Sequence, residues 1–384
     1  MADKPETSPQ ETILVINAGS SSIKYGLYRA SDLSPLEHKN IEVKKAGGYG
    51  PAFQQILDLI ETHNVTAVGH RVVHGGKDYA APQRIDDKVL ADLEALTPLA
   101  PLHQQHNLKG VKLIADKYPA LPQVASFDTA FHRTQPKLNQ MYAIPRKMTD
   151  EGIIRYGFHG LSYEYIASVL PDVADEKTAK GRVIVAHLGN GASMAALKDG
   201  KSVATTMGFT PLEGLMMGTR AGSTDPGILL YLLEKGETPE SLSEIFQKKS
   251  GLKGVSGMTE DLRELLASDK PEAKEAIDLF ALYAARQAAM LTVDLGGLDA
   301  IVFTGGIGEN SEDMRAKIVA NLAHLGVKVD STLNNDDKAA IHAHDSAVKV
   351  YVIKTDEELM MARHVKKTLA HPPAPKAGPA SPKP

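Results

Sequence analysis

The 384-residue sequence contains no cysteine. Disulfides, thiolate-held metals and thiol catalysis are therefore excluded. It has no Walker A string, Gly-x4-Gly-Lys-Ser/Thr, which argues against a P-loop nucleotide site. A Rossmann fingerprint is missing too, because Gly305-Gly-Ile-Gly308-Glu-Asn310 lacks its spacing. Neither sign of charge dominates: the formal net charge is −4, with no footprint of a nucleic-acid partner. No apolar run approaches the roughly 20 residues that a membrane helix needs. The stretch Met1 to Glu11 is polar, with Pro5 and Pro9 where a signal peptide would carry an apolar centre. The expectation is a soluble, cytoplasmic protein with neither membrane nor nucleic acid as partner.

What is present is a chain that is 42% hydrophobic and too long for one small core, so two domains are expected. Residues 1–11, and the Pro-, Ala- and Lys-rich stretch 371–384, have compositions that cannot bury a core and are expected to be disordered. Between them, strand-like and helix-like segments alternate, the pattern of an α/β protein. Strands are expected at Thr12–Ile16, Ile23–Tyr28, Thr66–Gly69, Arg182–His187, Ser193–Leu197, Ala300–Thr304 and Lys349–Ile353. Helices are expected at Asp86–Ala95, Ser162–Leu170 with Ser162 as N-cap, Pro226–Glu234, Glu272–Leu295, Glu312–Leu325 and Asp356–Leu369.

Two segments echo each other. Ile13 to Leu27 and Val183 to Leu197 both read strand, small-residue turn, strand, and without gaps Gly19 falls on Gly189 and Leu27 on Leu197. Each turn gathers Gly, Ser or Asn where backbone N–H groups can form an anion-binding nest. Two unrelated hairpins would read the same way, so the echo leaves duplication and coincidence both open. Further glycine-rich clusters carry polar side chains: His70-Arg71-Val-Val-His74-Gly-Gly76, Gly218-Thr-Arg220-Ala-Gly222 and Gly305–Asn310. Glycines let backbone approach a phosphate, and Lys or Arg compensates its charge. Together they describe a polyanion site.

These strings resemble the motifs of the acetate and propionate kinases. Val15-Ile-Asn17-Ala-Gly-Ser-Ser-Ser22-Ile-Lys24 is similar to that family's opening motif, and His70 to Gly76 to its second. Phe127-Asp128-Thr-Ala-Phe-His132, Arg155-Tyr-Gly-Phe-His159-Gly160, His187 to Gly191, Met207 to Gly214, Met217 to Arg220, Gly305–Asn310 and Thr355-Asp-Glu357-Glu358 follow in the family's order, from about Thr12 to about Leu369. The resemblance implies duplicated ribonuclease-H-like domains, as in the actin, Hsp70 and sugar kinase superfamily, with an interdomain ATP cleft. The first domain, 12–130, is then the acyl-substrate side, completed by helix 356–370; the second, 131–355, is the nucleotide side. The implied reaction is reversible, Mg²⁺-dependent transfer of a phosphoryl group from ATP to acetate, giving acetyl phosphate and ADP, by a homodimer.

The same resemblance implies the site. Arg71, Asp128, His159 and Arg220 are the expected catalytic residues. Arg71 holds the acyl carboxylate, Arg220 the phosphoryl group, and His159 donates a hydrogen bond. Guanidinium forks suit both anions. Asp128 is hard to justify as a base, because a carboxylic acid with a pKa near about 4.3 is already ionised at neutral pH. Orienting Arg71 or shaping the metal's water shell are the roles left for it. Val73, Leu102, Phe158 and Pro211 would line the pocket for the substrate's methyl group. Lys24, His187, Gly189, Asn190, Gly191, Asp261, Leu262, Arg263, Gly306, Ile307 and Asn310 would contact ATP, although Asp261 serves equally well as a helix start. Asn17 and Glu357 would hold Mg²⁺, which needs few protein ligands. The sequence also departs from the family. The stretch from Lys24 to Arg71 is shorter than usual, His103-Gln-Gln-His106-Asn107 stands where His-Asn-Pro is typical, and Thr355-Asp-Glu357 replaces Thr-Asn-Glu. The rival readings are a propionate kinase and a non-kinase ATPase of the same superfamily.

Overall fold

The computed structural model describes residues 10–19, 21–100, 104–336 and 338–370. Leu102, His103 and the segments 1–9 and 371–384 lie outside the described residues. Two compact units divide the chain, one running to Ala130 and resuming at Glu357, the other Phe131–Asp356.

The first unit is built on a six-stranded sheet: β1 (Thr12–Ala18), β2 (Ser22–Arg29), β3 (Pro35–Glu42), β4 (Val65–Val72), β5 (Gln83–Arg84) and β6 (Gln123–Phe127), in the order β3-β2-β1-β4-β6-β5. β1 and β2 form a hairpin, and β4 and β6 run parallel to β1. On one face Leu14, Ile16, Ile23 and Val68 pack with Phe53 and Ile56 of helix Tyr49–Thr62 and Ile114 of helix Gln104–Lys117. On the other lies helix Glu357–Ala370, which Gly69 admits at close range. A Cβ at Gly69 would stand 2.8 Å from Val365 Cγ2 and 3.1 Å from Val15 Cγ1.

The second unit has a five-stranded sheet: β7 (Arg182–Leu188), β8 (Ala192–Lys198), β9 (Lys201–Thr205), β10 (Ala300–Thr304) and β11 (Lys349–Val352), in the order β11-β10-β7-β8-β9. β7, β8 and β9 are antiparallel, and β10 and β11 parallel to the lead strand. Read from the lead strand outward, β3-β2-β1-β4-β6 and β9-β8-β7-β10-β11 share one topology. β10 is buried along its whole length, so its sequence is continuously apolar rather than alternating.

Four expectations change in detail. The hairpins match up to the turn but not beyond it. Pairing closes at Ala18↔Ile23 in one and at Leu188↔Ala192 in the other, a four-residue turn against three. Leu27, paired with Leu14, therefore corresponds to Ala196, paired with Ile184, and not to Leu197. Ser162 is no N-cap: the helix is Gly160–Val173, its cap is His159, and Ser162 is buried inside it. Past β10, where Gly305–Asn310 forms a short helix, the segment expected as one helix from Glu312 to Leu325 leaves the α-helix at Asn321 before a final turn at Ala323–Leu325. Finally, helix Pro271–Leu295 is long and apolar enough to cross a membrane by length and composition. It is a core helix, burying Ala273, Ile277, Phe280, Ala284 and Leu291 and packing against β7, β8 and β9. Gly296, at φ 71°, stops it in the left-handed conformation.

Candidate active site

The functional side chains fall into two clusters, one in each unit. In the second unit they gather at the ends of β7 and β10. The three-residue turn between β7 and β8 is Gly189-Asn190-Gly191, closed by the Gly189 N–H donating to Gly191 O at 3.1 Å. Gly218 N–H donates to Asn190 O at 3.0 Å, and a Cβ at Gly218 would collide with the Asn190 side chain. His159 sits at φ 58°, a conformation uncommon for a non-glycine residue and found where a site dictates it. Its Nδ1 lies 2.8 Å from Ser193 Oγ, and its ring stacks on that of His187 at 4.3 Å between centroids. His187 Nδ1 is in turn 2.8 Å from Ser162 Oγ, which accepts from Thr355 Oγ1 at 2.9 Å. With both Nδ1 atoms engaged, the imidazole planes are fixed. Arg220 Nη1 donates to Pro211 O at 2.8 Å. A Cβ built on Gly191 would stand 3.4 Å from His159 Nε2 and 3.5 Å from Arg220 Nη2, so both groups face the glycine turn. Phe158 is fully buried, and its carbonyl lies 2.9 Å from His132 Nε2.

Beside the turn opens a cleft of about 820 Å³, lined by Gly189, Asn190, Asp261, Leu262, Arg263, Gly306, Ile307 and Asn310 among others. Its wall at Gly305–Asn310 is held by Glu309. Glu309 Oε1 accepts from Thr304 Oγ1, Gly305 N and Thr355 N at 3.2, 2.8 and 3.1 Å. Gly305, at φ 77°, has no room for a side chain, since a Cβ would stand 2.8 Å from Leu188 O. Asp261 caps helix Leu262–Leu266 and pairs with the exposed Arg263, whose hydrogen bonds hold its carboxyl down to about 2. That is the helix-start role, performed from the rim of the cleft.

In the first unit the charged groups meet at the ends of the parallel strands. Arg71 is next to last in β4, and Asp128 follows β6, whose register sets Val72 against Phe127. Asp128 grips Arg71 with two hydrogen bonds, Nε to Oδ1 at 2.8 Å and Nη2 to Oδ2 at 2.7 Å. Glu357, opening helix Glu357–Ala370, is 3.4 Å from Arg71 Nη1. With side chains 18%, 2% and 14% exposed for Arg71, Asp128 and Glu357, this is an interior charge cluster and not a solvated pair. Burial works against the Arg71 charge, but Asp128, Glu357 and Glu358 more than offset it and raise its pKa above the usual value. Asn17, near the end of β1, pairs with Lys24 on β2, and Lys24 is exposed. Val73 is buried, its N–H donating to Asn107 Oδ1 at 3.2 Å.

Residues 36–363 match the model of the acetokinase family. The chain belongs to this family. A protein named acetate kinase from Rhodopseudomonas palustris is 47% identical over 388 residues, covering 92% of this chain and 98% of the relative. One so named from Nitrobacter hamburgensis is 48% identical over 386 residues, covering 92% and 95%. Among solved structures, a propionate kinase from Francisella tularensis aligns with TM-score 0.86 and 36% identity over 93% of this chain and 99% of its own. Porphyromonas gingivalis acetate kinase aligns with 0.83 and 36% over 94% and 100%.

Within this acetokinase fold, the residues read from sequence are brought together in two groups: Arg71, Val73, Asp128, Asn17, Lys24 and Glu357 in the first unit, and the others in the second. Leu102, placed in the acyl pocket from sequence, is outside the described residues. Four supporting residues escaped the sequence reading. Gln104 accepts from His74 N and donates to His74 O, at 3.2 and 3.1 Å. Asn107 joins Val73 N to Ala18 O, the latter at 2.8 Å. Ser193 orients His159, and Glu309 holds the cleft wall. Gln104 and Asn107 lie in the stretch where the sequence departs from the family. The signal was on the page, as two amides one helical turn apart, but it said nothing of which backbone they would hold.

Proposed function

We propose that the protein transfers the γ-phosphoryl group of ATP to acetate, reversibly and in line, giving acetyl phosphate and ADP. The observation that carries this reading is the convergence of His159 Nε2 and Arg220 Nη2 on Gly191, beside a cleft large enough for a nucleotide. Transfer of a phosphoryl group asks for positioning and for cations or donors around its equatorial oxygens. The turn N–H groups, the imidazole and the guanidinium are the donors for that work. Acetate arrives ionised, so no base is required. Asp128, which takes the Nε–Nη2 edge of Arg71 with both oxygens, orients the guanidinium. Nη1, 3.4 Å from Glu357, is outside that bidentate pair and is the proposed place for a substrate carboxylate. Val73, Phe158, Pro211 and Leu102 are proposed to face its methyl group. Lys24 and His187 are proposed to serve the phosphates, and Asp261, Leu262, Arg263, Gly306, Ile307 and Asn310 the adenosine.

Mg²⁺ belongs to the same proposal. Among the described residues no group of three or more His, Cys, Asp or Glu is arranged to hold a metal ion. Asn17 and Glu357 nevertheless offer two hard oxygen donors in one unit, which suits a cation that keeps most of its waters and shares substrate phosphates. Bound there, Mg²⁺ would neutralise charge on the ATP phosphates. A homodimer in the cytoplasm, where ATP is supplied, completes the reading. Supporting the dimer, Ile228, Leu229, Leu230, Tyr231 and Leu233 of helix Pro226–Glu234 are all exposed, an apolar patch of the kind that marks interfaces.

The structural likeness to a propionate kinase favours propionate as the second reading. Coupled kinetics with acetate, propionate and butyrate decide between them. The proposal expects the highest kcat/KM with acetate; a preference for propionate would make the second reading correct.

A further inference from the structure

Arg155 lies four residues before His159, and its guanidinium reaches both ends of the segment that carries Pro211. At one end Nη1 donates to the carbonyls of Thr206 and Met207, at 3.1 and 3.2 Å; at the other Nη2 meets Glu213 Oε1 at 2.6 Å. The second oxygen of Glu213 accepts from Tyr142 Oη at 2.5 Å, and Tyr142 Oη accepts the N–H of Phe209 at 2.8 Å. Burial is the main cause that raises the Tyr142 pKa, so the phenol stays protonated and donates. The middle of the segment is tied as well, because the N–H groups of Tyr156 and Gly157 donate to Gly208 O at 3.0 and 3.3 Å. Gly208 has no space for a side chain: a Cβ would stand 1.8 Å from Glu213 Oε2 and 2.1 Å from Tyr142 Oη. An exposed ion pair would contribute little. This one is partly shielded, with side chains 18% and 34% exposed, and is joined to a phenol and three backbone carbonyls or amides, where charge-assisted bonds reinforce each other.

What this ring encloses is the backbone that aims Arg220. The Pro211 carbonyl takes Arg220 Nη1, and Arg155 itself leads through Tyr156, Gly157 and Phe158 into His159. The two groups that face Gly191 therefore hang from opposite sides of one brace. We propose that Arg155, Glu213 and Tyr142 are positioning residues for Arg220, fixing the Pro211 carbonyl and through it the guanidinium that meets the transferring phosphoryl group. This rests on the phosphoryl-transfer reading above. A donor misplaced by about 1 Å loses about 100-fold in rate, so the brace acts on kcat without touching substrate.

The test is a double-mutant cycle on the full-length protein, using Tyr142→Phe and Glu213→Gln, each alone and combined with Arg220→Ala. Acyl phosphate formation from ATP and acetate and thermal unfolding are measured throughout. In the wild-type background each brace variant is expected to lower kcat by about 10- to 100-fold, with the KM for ATP changed by less than about twofold. In the Arg220→Ala background the same substitutions are expected to cost nothing further, because the group they aim is gone. Tyr142→Phe removes a single oxygen and keeps the cycle interpretable if Glu213→Gln unfolds. Losses that multiply fully in the Arg220→Ala background, or an unchanged kcat in both single variants, would overturn the proposal. A wild-type protein that forms no acyl phosphate would instead overturn the functional reading, and this proposal with it.

Discussion

The two central arginines sit in different settings and are held in different ways. Arg71, next to last in a central strand of the first sheet, is gripped along one edge by Asp128, with Glu357 3.4 Å from its Nη1. Arg220 lies in a glycine-rich turn of the second unit and is aimed by a neutral carbonyl, that of Pro211. The two units thus hold their arginines by two electrostatic solutions. A guanidinium between carboxylates is rigid and largely neutralised, which suits recognition of one planar carboxylate. A guanidinium aimed through Nη1 by a carbonyl offers donors suited to a trigonal phosphoryl group whose charge is spread over three oxygens. The neighbours follow the same division. The first unit surrounds its arginine with charge and buried side chains, the second with backbone N–H groups, stacked imidazoles and an open cleft.

The comparison breaks most visibly at Arg220. Arg220→Ala should lower kcat by two orders of magnitude or more while the KM for ATP hardly moves, as the proposed transition-state role requires; steady-state kinetics with a loss confined to KM would assign it to binding. Asp128→Asn should act next most strongly, reducing kcat/KM for acetate by about 100-fold and stability by about 3 kcal/mol, because it leaves the Arg71 charge short of its closest partner. Chemical denaturation alongside acetate kinetics separates the two, and a variant that loses stability alone would show that Asp128 does not aim Arg71. Val73→Ala sharpens the acyl side. A valine is stiff at χ1 and cannot swing aside, and one methylene is worth about 10- to 200-fold in selectivity. The variant should therefore raise kcat/KM for propionate relative to acetate, and an unchanged ratio would remove Val73 from the pocket.

The effect of pH is on stability and not on rate. His70 is buried next to Arg71 on β4, its Nε2 2.7 Å from Gln123 Oε1, and burial pushes its pKa down to about 4. An unfolded histidine titrates near about 6.5. Between those values the unfolded chain binds a proton that the folded chain does not, so unfolding is favoured as pH falls. His70 should leave stability at its full value above about 6.5 and withdraw up to about 3 kcal/mol as pH approaches 4. Denaturant unfolding of wild type and His70→Gln between pH 7 and 4 should show a flatter profile in the variant; parallel profiles would mean that burial leaves the His70 pKa where it is in the unfolded chain.

How much of this was legible in the sequence depended on burial. β10 reads as a strand because it is apolar from Ala300 to Phe303, buried on both faces. β3, Pro35–Glu42, is nearly all exposed at a sheet edge, and its charged residues give no such signal. β6 was hidden for another reason: Gln123 and Ser126 are buried, but as partners of His70 and His364, so polar letters mask a core strand. The glycine motifs pointed to the candidate site because glycine is required where a neighbour leaves no room for a Cβ, the Leu188 backbone at Gly305 and the Asn190 side chain at Gly218. They could not reveal Ser162, which looked like a helix cap and instead holds His187, since that bond joins residues far apart in the chain.

Phosphorus NMR of the protein mixed with ATP, MgCl₂ and acetate tests the central claim most directly. The account predicts acetyl phosphate appearing in equal amount with ADP, with no signal change when acetate is omitted, and ATP regenerated when acetyl phosphate and ADP are supplied instead. ADP accompanied by inorganic phosphate, formed at the same rate with or without acetate, would contradict it and mark the protein as an ATPase.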